Sequence, residues 1–179
     1  MTPSLIPVFD LDGTLLDSDR ALLAPFVALG VREDQVRFGS TLDEECARLG
    51  VSVDAYVEAY DTTSAEPFSG VDELLRRLDR WGICSNKRGL CAERELSRLG
   101  WSPEVATFSD GSTAKSLHRV LRALGVGGSD VVFVGDSEPD RICAEEVGAI
   151  FAVAGWNPRA RSVEGGTMLE KPSDVLDLL

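Results

Sequence analysis

The sequence predicts an α/β protein: a parallel sheet flanked by helices, with a helical insertion after the first strand. Three observations predict it. Short apolar runs alternate with helical apolar stripes along most of the chain. The run Val131-Val132-Phe133-Val134 is continuous and β-rich, as a strand covered on both faces requires. From Asp17 to Glu66 the alternation stops, and helical patterns follow one another without a strand. The 179 residues, 44% hydrophobic and 27% charged, suffice for one such domain plus a modest insertion.

Taken in order, a first strand is predicted over residues 5–9, although Pro7 removes a ladder donor within it. The insertion reads as helices over residues 21–29, 42–49 and 53–60; it carries eleven acidic residues, four arginines and no lysine. Val71, Leu74, Leu75 and Leu78 then form one helical stripe. Short strands follow over residues 82–84 and 106–108. Leu117, Val120, Leu121 and Leu124 repeat the stripe, and Gly125 is suited to end that helix. After the strand at residues 130–134, Ser137 can cap a helix with Pro139 in its first turn, and Gly148 would end it. A strand over residues 149–153 and a short helix from Ser173 complete the pattern. The domain division predicted is a core of residues 1–16 and 67–179 around an inserted segment of residues 17–66.

The formal charge of -12, from 30 acidic against 18 basic residues, repels polyanions and argues against nucleic acid or anionic membrane as partner. Cys46, Cys84, Cys91 and Cys143 form no C-x-x-C pair, so a structural zinc site is not expected and the thiols read as reduced. Residues 1–10 lack the basic stretch and apolar run of a secretion signal, and no run reaches membrane-spanning length, so a cytoplasmic location is expected. His118 is the only histidine and has no serine or cysteine signature beside it, which argues against a histidine-based triad.

The chemistry concentrates after strands. Asp10-Leu11-Asp12-Gly13-Thr14-Leu15 follows the first strand directly, placing two carboxylates near one sheet end with a glycine where the chain must turn. Gly135-Asp136-Ser137-Glu138-Pro139-Asp140 follows the clearest strand in the same way. Were these strands neighbours, about 5 Å would separate their ends, and Asp10 and Asp136 could share one hard cation such as Mg2+. Ser85-Asn86 follows another strand and could bind phosphate oxygens, and Lys115 precedes a helix where it could neutralise them. Asp136 and Asp140 can equally be helix-start acids, and Ser85-Asn86 ordinary turn residues.

In this order the motifs Asp10-x-Asp12-Gly-Thr, Ser85-Asn86, Lys115 and Gly-Asp136-x-x-x-Asp140 resemble the haloacid dehalogenase superfamily, and most its phosphoglycolate-phosphatase-like branch. The resemblance spans nearly the whole chain. It implies a Rossmann-like core with a small, mobile helical cap over the active site, and a Mg2+-dependent phosphatase acting on a small phosphorylated metabolite. Asp10 would be the nucleophile that forms an aspartyl-phosphate, and Asp12 the acid and base. The metal would be held by Asp10, the Asp12 carbonyl and Asp136. Gly13, Ser85, Asn86 and Lys115 would contact the phosphate, with Asp140 behind Lys115 or a metal-bound water. Asp12 argues for phosphate over halide chemistry, because an alkoxide leaving group needs a proton and halide does not. Two alternatives remain at this stage: a phosphomutase of the same fold, which would need a cap cation for a second phosphate, and a non-catalytic binding protein. The acidic cap leads us to expect small monophosphates to be preferred over polyphosphates.

Overall fold

A computed structural model describes residues 5–179. Residues 1–4 of the predicted core segment lie outside the described residues. The elements are β1 (Ile6–Phe9), β2 (Leu16–Asp17), α1 (Asp19–Ala28), α2 (Leu42–Leu49), α3 (Val53–Ala59), β3 (Glu66–Pro67) and α4 (Val71–Arg76). They continue as β4 (Gly82–Arg88), α5 (Gly89–Leu99), β5 (Val105–Ser109), α6 (Leu117–Leu124), β6 (Val131–Gly135), α7 (Glu138–Val147), β7 (Ile150–Ala154) and β8 (Thr167–Leu169).

Six strands form one sheet in the order β5-β4-β1-β6-β7-β8, every pairing parallel. Sheets of this kind bury both faces, and the side chains divide accordingly. On one side Ile6, Val8, Val131 and Phe133 pack with the stripe Leu117, Val120, Leu121 and Leu124 of α6 and with Cys143 and Ala144 of α7. On the other, Phe9, Val132 and Val134 pack with Leu74 and Leu75 of α4, Leu96 of α5 and Phe26 of α1. Successive residues of one strand thus enter opposite cores, which is why the apolar runs of β1 and β6 show no polar alternation.

The β1 proline costs the sheet little. The Asp10 amide donates to the Val134 carbonyl of β6 at 2.9 Å, so by alternation position 7 faces β4. Pairing with β4 starts only at Val8↔Gly82, and the missing donor falls beyond that ladder.

The helical insertion leaves the sheet directly after β1, as predicted. Its entry and exit are joined by a two-stranded antiparallel ribbon, with Leu16 opposite Pro67 and Asp17 opposite Glu66. Inside it, Tyr56 packs between Phe26, tilted against it at 4.6 Å between ring centroids, and Tyr60, stacked on it at 6.1 Å. The Tyr56 hydroxyl donates to the Leu22 carbonyl at 2.9 Å, tying α3 to α1.

Several boundaries differ from the predicted pattern. The strand expected over residues 82–84 runs through Arg88, so Ser85 and Asn86 lie within β4 rather than after it, beside a register irregularity between Cys84 and Arg88. Polar residues at a buried strand end hide its length from a hydrophobic pattern. The helix α4 stops at Arg76, leaving Leu78 outside it. The strands β2, β3 and β8, of two, two and three residues, are too short to carry a period. The helix α5 was not anticipated, and the chain ends in a 3-10 turn over Pro172–Leu178 rather than an α-helix. All four cysteines are free and buried.

Candidate active site

The sheet reverses its winding at β1, which has β4 on one side and β6 on the other. Ligands of open α/β sheets bind at the carboxyl ends of strands beside such a point. Asp10 follows β1, Ser85 lies midway along β4 where its register with β5 breaks, and Asp136 follows β6. These residues line a cavity of about 110 Å3 between the sheet and the insertion. Asp12, Asn86 and Lys115 also line it, as do Leu22, Phe26, Phe38 and Tyr60 of the insertion.

Asp10, Asp136 and Asp140 bring carboxylate oxygens within 4.8 Å of one another. Burial pushes Asp10 well above the usual carboxylate range; Lys115 opposes this, while Asp140, Asp136 and Asp12 add to it. Burial, then Asp140, raises Asp136 to about 6, against the pull of Arg159, Lys115 and Thr14. Lys115 lies at 3.2 Å from Asp10 Oδ1 and also pairs with Asp140. Burial opposes its charge, yet those two carboxylates hold its pKa above the ordinary lysine value.

Asp140 turns inward. Its Oδ2 accepts from the Asp136 amide at 3.1 Å, the Ser137 amide at 2.9 Å and the Ser137 hydroxyl at 2.6 Å, while Oδ1 meets Lys115. With both oxygens committed, it braces the start of α7 and the lysine. Gly135 makes this approach possible, since a Cβ there would stand 2.4 Å from Asp140 Cγ.

The loop after β1 is fixed from several sides. Leu11 O accepts from the amides of Leu15 and Leu16, at 3.0 and 2.9 Å. Asn157 donates to Gly13 O at 2.8 Å and Trp156 to Thr14 O at 2.9 Å. Trp156 thus braces the loop. Gly13 has φ +79°, and a Cβ on it would lie 2.4 Å from Asp136 Oδ2 and 2.6 Å from Arg159 Nη2. Gly13→Ala is therefore expected to destabilise the fold by about 1–3 kcal/mol through backbone strain alone. Urea unfolding beside the unchanged protein measures it, and an unchanged midpoint would count against this geometry.

Other expected residues are placed differently from the simple picture. Asn86 is engaged at both ends: its Nδ2 donates to Gly39 O at 3.0 Å and its Oδ1 accepts from the Lys115 amide at 2.6 Å. It ties the insertion to the Lys115 loop rather than presenting a free amide. Ser85 Oγ accepts from the Lys87 amide at 3.2 Å and keeps its proton for another partner. Asp12 lines the same cavity without joining the carboxylate cluster, and its Oδ1 lies 2.8 Å from Lys87 Nζ. Arg88, which reads as surface charge, lines the cavity and pairs with Asp43 at 3.2 Å; Arg141 is an outer residue paired with Glu138 and Glu145.

Sequence reasoning missed two cations. Arg159 reaches Asp136 Oδ2 at 2.8 Å and Asp19 at 3.1 Å, and its guanidinium lies 4.7 Å from the Phe38 ring centroid. Nothing in the spacing marks it, because it comes from a 3-10 turn beyond the last motif. Lys87 was legible in part, being two residues beyond Ser85 and so on the same face of an extended strand.

The residues fit a hard cation. Asp10 Oδ1 is buried and accepts no hydrogen bond. The clustered groups are oxygen donors, and burial first and mutual repulsion second raise the pKa values of Asp10 and Asp136, both of which a bound cation would offset. Asp10 and Asp136 are the members with a free or exchangeable oxygen.

A family model described as haloacid dehalogenase-like hydrolase matches residues 7–154. The chain belongs to this family. Among similar proteins is the phosphoglycolate phosphatase of Xanthomonas campestris pv. campestris, 32% identical in an alignment of 184 positions that covers 85% of this chain and 83% of that one. The pyrophosphatase PpaX of Bacillus cereus is 26% identical, over 96% of this chain and 94% of its own. In fold the chain resembles the crystal structure of a protein from Lactobacillus plantarum described as a putative phosphoglycolate phosphatase, with a TM-score of 0.79 and 21% identity over 99% of this chain and 100% of that one. This haloacid dehalogenase-like hydrolase thus shares its fold with that structure over 99% of its length. No helix among its described residues is long and apolar enough to cross a membrane.

Proposed function

We propose that the protein is a Mg2+-dependent phosphatase that hydrolyses a small phosphomonoester through an aspartyl-phosphate on Asp10. The observation that carries this reading is Asp10 itself: a buried carboxylate with one oxygen free of hydrogen bonds, between Lys115 and Asp136, at the floor of the cavity. The similarity to a phosphoglycolate phosphatase supports the same chemistry.

In this mechanism Asp10 attacks phosphorus, the bond to the ester oxygen breaks, and Asp12 gives that oxygen its proton. Asp12 then takes a proton from water, which attacks the aspartyl-phosphate, releasing phosphate and restoring Asp10. Lys115, held between Asp10 and Asp140, offsets the negative charge gathering on the transferring group. Mg2+, held by Asp10, Asp136 and the Asp12 carbonyl, would lower the repulsion between nucleophile and phosphate. Residues 17–66 act as the cap that closes the cavity from the solvent side, and Ser85 and Gly13 lie against the phosphate.

The substrate we infer is a small monophosphate. Among the cavity's five cations, Lys87, Arg88, Lys115 and Arg159 are already paired with carboxylates, leaving Arg37 as the cation available for a polyphosphate. Phosphate release should be measured from 2-phosphoglycolate, p-nitrophenyl phosphate, pyrophosphate and ATP, with Mg2+ and with chelator. We expect Mg2+-dependent turnover, highest on a monoester. No turnover of any monoester by folded protein, or faster release from ATP than from every monoester, would overturn this assignment.

A further inference from the structure

Outside the carboxylate cluster lies a second buried ionic network, of which the mechanism above uses only Asp12. Lys87 Nζ hydrogen-bonds Asp12 Oδ1 at 2.8 Å and the Tyr60 hydroxyl at 2.7 Å, and lies 2.8 Å from Glu95 Oε2. The Tyr60 hydroxyl in turn donates to Glu95 Oε1 at 2.6 Å. The lysine side chain is 5% exposed and the glutamate 0%. The four groups come from separate places: the loop after β1, the end of α3, the strand β4 and the helix α5.

We propose that Lys87, fixed by Glu95 and Tyr60, is a positioning residue that holds the Asp12 carboxylate where it can protonate the leaving oxygen. The inference rests on the phosphatase reading, in which Asp12 is the acid and base. Three features carry it. Lys87 donates to Asp12 and to the Tyr60 hydroxyl and forms an ion pair with Glu95, so its charge is turned toward these groups rather than toward a phosphate oxygen. The buried lysine is balanced by two carboxylates, Asp12 and Glu95, each 2.8 Å away, so it holds Asp12 while Glu95 shares its charge. Among the described residues Lys87 is the only side chain bonded to the Asp12 carboxylate, so its removal frees that group to turn. Tyr60 extends the same chain into the insertion, so the acid is oriented by residues from both sides of the cavity.

The test exploits leaving-group chemistry. An alkoxide leaves poorly without a proton, whereas p-nitrophenolate leaves readily. The variant Lys87→Met/Glu95→Gln removes both buried charges together, so neither is orphaned. Its kcat/KM reports phosphoryl transfer to Asp10 and is measured on 2-phosphoglycolate and on p-nitrophenyl phosphate. We expect about a 10²-fold loss on the alkyl substrate and about 3-fold or less on the aryl one, the signature of a misplaced general acid. Tyr60→Phe, which keeps both charges and most of the packing, should show the same asymmetry to a smaller degree and serves if the double variant fails to fold. Equal losses on the two substrates would overturn the role of Lys87 while leaving the phosphatase reading intact. Activity that survives Asp10→Asn in the same assay would overturn both.

Discussion

Asp10→Asn is expected to lose phosphatase activity by at least about 10⁴-fold, the scale on which removal of a covalent nucleophile acts. The substitution keeps the shape of the side chain and removes the charge that attacks phosphorus. The same variant should be more stable than the parent in chelator near neutral pH. Burial raises the folded-state pKa of Asp10 above its ordinary value, so the folded protein holds that proton more tightly than the unfolded chain. The stability associated with the group is fully present below the unfolded value and is lost as pH rises through the folded one. Asparagine does not ionise, so its advantage grows with pH and shrinks as pH falls toward the ordinary aspartate range. Thermal melts of both proteins across pH, with chelator and with Mg2+, measure this. An Asp10→Asn protein that melts lower than the parent at neutral pH, or whose advantage is independent of pH, would refute the electrostatic account. Phosphate release retained by the variant would refute the nucleophile.

Lys115→Met should have the largest effect on stability. The ammonium contacts Asp10 and Asp140, is 4% exposed, and lies over the Phe133 ring at 5.7 Å. Removing it leaves Asp10, Asp136 and Asp140 with one nearby cation, Arg159, which contacts only Asp136 among them. Breaking a buried pair by deleting one partner costs about 3–5 kcal/mol. Activity should fall with it, because the transferring oxygens lose their buried positive charge. The loss has a pH signature. Asp136 already titrates at about 6 in the folded protein, and without Lys115 its pKa rises further. The deficit should therefore be largest above pH 7 and smaller at pH 5, where protonation relieves the repulsion. Urea unfolding at the two pH values tests it. A deficit equal at both would mean that lost packing, not lost charge, is what the substitution costs.

These expectations bear on the alternatives to hydrolysis. A mutase needs a second phosphate site on the insertion. Of its four arginines, Arg37 lines the cavity, while Arg48 pairs with Glu45 and Arg32 with Asp34. Arg37 alone offers little for a second dianion, consistent with hydrolysis rather than transfer back to substrate. A purely binding role would not require Asp10 to stand buried with its Oδ1 free of hydrogen bonds and only ion-paired with Lys115.

The sequence by itself determined the class of sheet, the helical insertion after β1 and the two acidic motifs. Each is written in short-range form: β1 and β6 as unbroken apolar runs, α6 as a stripe at helical spacing, Asp10, Asp12 and Asp136 within three residues of strand ends. Only the tertiary structure decided what those groups touch. Lys87 reaches Asp12 across 75 positions, and Arg159 reaches Asp19 across 140. The length of β4 was hidden for the same reason: Ser85, Asn86 and Lys87 look like turn residues until their polar atoms are seen paired with the insertion, the Lys115 loop and Asp12. Apolar burial acts through periodicity, which a chain displays along its own length. A buried charge is tolerated only by virtue of its partners, and those are chosen by the fold that brings distant strands, helices and loops to one point.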